Sequence, residues 1–549
     1  MKKDCACVVI PTSKLSGIDI QNEFGSIPPC MIPVLGEIAI DRIIRAYESN
    51  QVIKFRFILG VHENKKSIEE YFKFFPREDV ELIDVGNTNT LGETILTLVT
   101  ASLQYSSSPI IVNLGDTIND DIPYDLHGRD FVACATTEES ERWTRFNLVG
   151  TKIARIDDKV FAIDNTGSLA FTGIWGISSP NTLIEMMKRV ESASEDLFMS
   201  AIAEYYNSRK TEFFRSLRWM DLGHVDNYYD ARGKYIRTRF FNSINISKNS
   251  STLIKRSKNA QKLIEEINWY LNIPDSLKFF IPRILDYSIQ SQEPWIEMEL
   301  YSYPSLDDCF VGGRFDLDVW KKAIDRVFFF ITEGSRYKIP SSEDSLRDIY
   351  IKKTQIRLSE MYNNPQFMKW VERIETINGS SIPRFEEIVN GIQGTVERSG
   401  LLNAAEFQVI HGDLCLGNIL FDSKTKIIKL IDPRGRFGEQ GIFGDVYYEL
   451  AKMSHSFLGL YDFIMTGQFR MTGVEEIIRD PVIRFRSTDY HDWIGKIFLD
   501  RVERNGYDIE RVRISEALLF LSMLPLHSDS LARQKALYIR GVDLLMRAT

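Results

Sequence analysis

The chain has 549 residues, 44% of them apolar and 26% charged, an ordinary globular composition with material for roughly two to four domains. A net charge of -9 argues against a nucleic-acid or anionic-membrane surface, both of which need a basic field. The six cysteines are scattered, and Cys5 and Cys7 are too close for zinc spacing, so they read as reduced thiols of a cytoplasmic protein. The longest late apolar run, 517–526, is about half a membrane span, which predicts a soluble chain without membrane insertion.

In chain order, the pattern predicts a first strand at 6–10, a helix at 38–50 and a strand at 55–61. A helix at 65–75, a strand at 80–85, a helix at 91–104 and an apolar strand at 109–114 follow. Strands alternating with helices predict a parallel sheet covered on both faces, with ligands at the carboxyl ends of its strands. Beyond 130 the chain turns β-rich (131–135, 148–156, 160–163, 169–178), then helical over 181–206. A hairpin is expected at 240–246 and 252–255, a helix at 259–271, and mostly helix after 317 with short strands at 408–410, 419–422 and 427–431. The change of pattern puts a domain boundary within 228–240, dividing the chain into 1–232 and 233–549. The second part then divides into a small lobe to about 305 and a helical lobe from about 306.

The strongest local signal is His411-Gly412-Asp413-Leu414-Cys415-Leu416-Gly417-Asn418, between two strand signals, followed by Asp432 at the end of a third. Phosphoryl transfer asks little covalent work of a protein. It needs a base near the acceptor hydroxyl and oxygen ligands for magnesium. Asp413 can orient the hydroxyl and take its proton, Asn418 can reach a metal from the far end of the loop, and Asp432 can bridge metal to phosphates. The alternative for a lone His-Gly-Asp is a hydrogen-bonded turn without chemistry.

This arrangement resembles the aminoglycoside phosphotransferase and choline kinase family, with its HGDxxxxN motif and following aspartate. The resemblance implies a bilobal protein-kinase-like fold, ATP and Mg2+. It makes His411 a structural residue near the site and Asp445, in Gly444-Asp445-Val446-Tyr447, an acid that braces the catalytic loop. It asks for a nucleotide lysine and a partner glutamate, for which Lys255 and Glu266 are the candidates. Glu266 is preferred to Glu265 because Ile264, Ile267 and Leu271 set the apolar stripe beside it. Residues 247–251 would cover the phosphates without a Gly-rich motif. The segment 295–300 resembles the family's hinge, with backbone near Met298 and Leu300 at the adenine. Arg434 and Arg436 suit a phosphate or an anionic acceptor, or a surface ion pair. His224 reads as a turn histidine and His455 as a packed one.

The first domain resembles sugar-phosphate nucleotidyltransferases, which implies a Rossmann-like (GT-A-like) fold. Leu114-Gly115-Asp116 and Trp219-Met220-Asp221-Leu222-Gly223 fit that family's two metal aspartates, Asp116 and Asp221. Asn89-Thr90-Leu91-Gly92-Glu93-Thr94 resembles the base-reading segment, which makes Gly92 a nucleotide contact. The phosphate loop departs from the pattern: residues 11–17 lack the glycine pair and arginine, and Pro29 stands where a lysine is expected. Lys14 is the candidate substitute cation. The resemblance leaves room for a second nucleoside triphosphate (CTP, UTP or GTP).

Together these features give an α/β plus α+β chain that phosphorylates a hydroxyl of a small molecule (sugar, polyol or amino alcohol). The two resemblances together imply that the kinase is coupled to nucleotidyl transfer onto the product, for capsule or other cell-surface glycan synthesis. Two alternatives stay open: a kinase whose first domain only binds a nucleotide or sugar, and a non-enzymatic nucleotide-binding scaffold. Oligomeric state leaves no mark in the sequence.

Overall fold

The computed structural model describes residues 5–547 apart from 25, 35–36, 50–52, 64, 106–108, 123–128, 137–141, 161–167, 190–194, 225–226, 229–241, 248–251, 291–292, 302 and 473–478. The chain forms two compact units, Met1–Tyr235 and Ile236–Thr549. Among the described residues no helix is long and apolar enough to cross a membrane.

The first unit is built on a nine-stranded sheet. Its strands and a short neighbouring pair are β1 (Cys5–Pro11), β2 (Lys54–Val61), β3 (Val80–Asp84), β4 (Ile110–Asn113), β5 (Thr117–Asn119), β6 (Asp130–Ala135), β7 (Thr144–Val149), β8 (Lys152–Asp158), β9 (Ser168–Ile177), β10 (Thr211–Arg215) and β11 (Trp219–Asp221). The order β8-β7-β9-β4-β1-β2-β3 has a parallel half, β4-β1-β2-β3, with β1 at its centre. β1 is apolar throughout because both its faces are covered. Ala6, Val8 and Ile10 enter one core with helix α1 (Ala39–Glu48); Cys7 and Val9 enter the other with helix α2 (Leu91–Ser102).

The parallel pairing expected of the strands up to residue 114 is present in β4-β1-β2-β3, and in the β-rich segment beyond 130 strand β9 runs antiparallel to β4, β6 and β7. The expected single strand at 148–156 is a hairpin, β7 and β8, because Gly150 takes φ 63° and reverses the chain. Of the expected strand at 160–163, all but Val160 lies outside the described residues. β5 and β11 form a separate antiparallel pair that sets Asp221 opposite Thr117.

The second unit opens with a four-stranded antiparallel sheet of β12 (Asn242–Ser247), β13 (Thr252–Ser257), β14 (Ile284–Ser288) and β15 (Trp295–Glu299), in the order β12-β13-β15-β14. Helix α3 (Ala260–Asn272) follows β13, capped by Asn259. Beyond it the chain is mainly helical, with long helices at Leu317–Gly334, Asp489–Arg504, Ile509–Ser522 and Leu531–Arg547. Strand β16 (Glu406–Val409) enters the loop of His411 to Asn418, and the hairpin of β17 (Ile419–Asp422) and β18 (Ile427–Leu430) leaves it. Helix α4 (Val446–Phe457) completes the surroundings. Two apolar cores hold the loop from both sides: Phe407 and Ile410 belong to one, Leu414, Leu416 and Ile419 to the other.

Candidate functional site

In the second unit, six of the sequence-derived residues meet around one loop. The Lys255 ammonium lies 2.7 Å from both oxygens of Glu266 and 2.8 Å from Asp432 Oδ1. β13 supplies the lysine, α3 the glutamate, and the end of β18 the aspartate. Burial would lower the Lys255 pKa, but Asp432 and Glu266 hold the ammonium well above its usual range. Glu266 is pushed by burial to about 7 despite Lys255, and the lysine outweighs desolvation to keep Asp432 below the usual carboxylate range.

The loop is closed by its own side chains. Asn418 Nδ2 donates to the Asp413 carbonyl at 2.8 Å and to Asp413 Oδ2 at 3.3 Å. His411 is buried, its Nε2 against the Ile431 carbonyl at 3.0 Å and its Nδ1 accepting from the Asp413 N–H at 3.3 Å. Gly412 turns the chain with φ 75°, and a side chain there would strike Arg434 Cβ at 2.9 Å. Asp432 itself sits at φ 56°, a strained setting for a residue with a Cβ.

α3 does more than carry Glu266. Three and four residues on, Trp269 donates to the Ile410 carbonyl at 2.7 Å and the Tyr270 hydroxyl accepts from Asp432 N at 3.2 Å. One helical face therefore holds the lysine, the loop and the aspartate in a single register. Gly435, at φ 88°, lies so close that a Cβ would fall 2.6 Å from the Glu265 carbonyl carbon.

Asp432 and Asn418 offer a carboxylate and, with the amide nitrogen turned to Asp413, an amide oxygen. An all-oxygen set of this kind fits a hard divalent cation completed by phosphate oxygens, the usual manner of magnesium. Among the described residues no group of three His, Cys, Asp or Glu is placed to hold a metal by protein ligands alone.

In the first unit, Asp116 follows β4 and Asp221 ends β11. A side-chain carbon at Gly223 would lie 2.8 Å from Asp116 Oδ2 and 3.3 Å from Asp221 Oδ1, so the carboxylates face one another across that glycine. Burial and the Asp221 charge push Asp116 up to about 6. His224 Nδ1 lies 3.0 Å from Asp221 Oδ2 and Asn227 Nδ2 donates to the same oxygen at 2.9 Å; the Asp221 contact raises the His224 pKa. His224, expected to be a plain turn residue, also meets the edge of Trp143. Lys14 is exposed after β1, and Gly92 is buried in the first turn of α2.

No protein-family model matches the chain, and no curated protein matches it. Its N-terminal two-fifths is similar to solved structures. One is the nucleoside-diphosphate-sugar pyrophosphorylase from Vibrio cholerae RC9, at 16% identity over 41% of this chain and 98% of that one, with a TM-score of 0.33. Another is HddC from Yersinia pseudotuberculosis, at 18% identity over 42% and 99%, TM-score 0.32. A third is the inositol-1-phosphate CTP transferase from T. maritima, at 13% identity over 41% and 93%, TM-score 0.30.

One expected residue has other partners than the resemblance implied. Asp445 does not touch the loop backbone; it accepts from Tyr350 and from the Tyr447 N–H at the start of α4. The brace is Glu449, whose oxygens take the His411 N–H at 2.6 Å and the Gly412 N–H at 2.9 Å. Sequence reasoning also missed Lys452, whose ammonium lies 2.8 Å from Asp413 Oδ1. Asp445, Tyr448, Glu449 and Lys452 share one face of α4 at spacings of three and four, which is the signal that could have found them. Met298 is buried in β15 opposite Leu253, and Leu300 follows that strand. Of the phosphate-covering segment 247–251, residues 248–251 lie outside the described residues. His455 is packed, stacked on Tyr461 at 4.5 Å.

Proposed function

We propose that the second unit transfers the γ-phosphoryl group of ATP to a hydroxyl of a small molecule. The observation that carries this reading is the buried Lys255–Glu266 pair joined to Asp432, beside a loop that presents Asp413. A lysine held charged and fixed by a carboxylate is what a triphosphate requires, and a second carboxylate at the same point is what its metal requires. A magnesium ion at Asp432 and Asn418 would supply charge neutralisation across the β- and γ-phosphates. Asp413 orients the hydroxyl and takes its proton as the oxygen bonds to the γ-phosphorus. The bond from that phosphorus to the bridging oxygen breaks, and ADP leaves with the electron pair. Asn418 and Lys452 fix the carboxylate for this task, and two cores keep the loop from shifting.

With the division at 1–232 and 233–549, we propose that the first domain carries out nucleotidyl transfer onto the phosphorylated product, serving a cell-surface glycan. The facing carboxylates of Asp116 and Asp221 support that reading, and both would hold the metal of a nucleoside triphosphate. The absence of a lysine at position 29 favours a second reading, a first domain that binds a nucleotide or sugar without turnover.

ADP release from the full chain with ATP, Mg2+ and a panel of polyols, sugars and amino alcohols tests the kinase. Asp413→Asn should lower the rate by about 10²–10⁴ and leave ATP binding intact. Unchanged ADP formation in that variant would overturn the assignment.

A further inference from the structure

Three cations surround the acceptor side of the Asp413 loop. The Lys452 ammonium is 2.8 Å from Asp413 and largely buried, with a side chain 12% exposed. Arg434 packs against Gly412, its backbone N–H donates to the His411 carbonyl at 3.0 Å, and its Nη1 donates to the Tyr448 hydroxyl at 2.8 Å. Lys353 reaches the same hydroxyl at 3.3 Å. Lys353 and Arg434 also lie over the Tyr448 ring, at 4.7 and 5.5 Å from its centre. Asp413 is paired with Lys452, whereas Lys353 and Arg434 converge on the Tyr448 hydroxyl, Arg434 Nε also donating to the Arg436 carbonyl at 3.1 Å.

Such a cluster is unfavourable without an anion. Burial, helped by Arg434 and Arg357, pushes Lys353 down to about 8. Burial would raise the Tyr448 phenol, yet Arg434, Lys353 and Lys452 pull it down to about 7. The tyrosine oxygen thus stands in for a stronger acceptor. A planar guanidinium and an ammonium converging on one oxygen form the fork that takes a phosphate or carboxylate.

We infer that Arg434, Lys353 and Lys452 form an oxyanion pocket beside Asp413, so that the hydroxyl compound phosphorylated here carries a phosphate or carboxylate of its own. The inference rests on the kinase reading for its word "acceptor", and the pocket can be tested without turnover. Neutral polyols and amino alcohols then become poor substrates, because they bring no anion to Arg434 and Lys353.

The test is calorimetric titration of the full chain, saturated with Mg2+ and AMP-PNP, with inorganic phosphate. Binding to the nucleotide-filled protein is expected, and Arg434→Met and Lys353→Met should each weaken it about tenfold or more, the scale of one charge-assisted hydrogen bond. AMP-PNP affinity should stay within about twofold, and Arg434→Lys should recover only part of the loss because it lacks the fork. Circular dichroism checks that each variant folds. No phosphate binding, binding only when nucleotide is absent, or binding indifferent to both substitutions would overturn the pocket. In turnover, a polyol, its carboxylic acid and its phosphate ester separate the two anion sources. A neutral polyol used as well as both anions would also sink the idea. A chain that binds phosphate through these residues but forms no ADP would overturn the kinase reading and leave the pocket standing.

Discussion

His411 shows what a single side chain does in this loop. The Ile431 carbonyl can only accept, so Nε2 carries the proton, and Nδ1 is left to accept from the Asp413 N–H. Burial outweighs the nearby carboxylates and holds the imidazole down to about 4, against 6.5 for a free one. The folded pKa lies below the unfolded value, so the unfolded chain takes the proton first as pH falls. This group's stabilisation is complete above pH 6.5 and disappears as pH drops towards 4. From His411 alone the unfolding free energy should fall by at most ~1.4 kcal/mol per pH unit in that window. His411→Gln should flatten that part of a Tm-against-pH curve; an unchanged slope would assign the acid sensitivity to another group. The histidine of an H-G-D signature is easy to find in a sequence. That it is neutral, with a fixed tautomer, depends on a carbonyl twenty residues away and could not be read there.

At the scale of elements, helix α4 is the part the motif described least well. Asp445 stood out by resemblance, as the acid that braces the loop, and in the structure it caps that helix. Glu449 and Lys452 looked like ordinary helix residues; only the packing of α4 against the loop gives them partners. Glu449→Ala should leave two buried N–H groups unpaired, each costing about 1–3 kcal/mol. Thermal unfolding should show that loss together with slower ADP formation, whereas Glu372→Ala, on an exposed position, should show neither. α3 was more legible in that Glu266 rather than Glu265 is the lysine's partner, although the buried face runs through Leu263, Glu266, Ile267 and Tyr270 and leaves Leu271, one of the stripe residues, exposed. Its contacts through Trp269 and Tyr270 were hidden, because a buried aromatic reads first as core. The hairpin of β7 and β8 was missed for the opposite reason: residues on both sides of Gly150 are β-formers, and one turn glycine was too weak a break.

For the molecule as a whole, each unit carries its own pair of apolar cores, and each holds its own carboxylates. The two proposed chemistries should therefore separate by substitution. Asp116→Asn should remove pyrophosphate release from a nucleoside triphosphate and leave ADP formation within about twofold, while Asp413→Asn does the reverse. If neither protein releases pyrophosphate with any phosphorylated product, the first unit is a binding domain. The alternation of strand and helix up to residue 114 announced the parallel half of its sheet, whose inner strands β1, β2 and β4 are largely buried while the edge strand β3 is only half-buried. The antiparallel entry of β9 was not announced, since strand direction leaves no periodicity in a sequence.

Gly435 acts as a spacer of zero width. The backbone of α3 rests against it with no room for even a methyl group, so the distance between helix and loop is set by one missing side chain. Glu266 is the next residue of that helix. Every substitution at 435 is thus a wedge driven between the lysine's partner and the end of β18. On the kinase proposal, a substitution at 435 should weaken nucleotide and acceptor handling together without replacing any residue assigned to either.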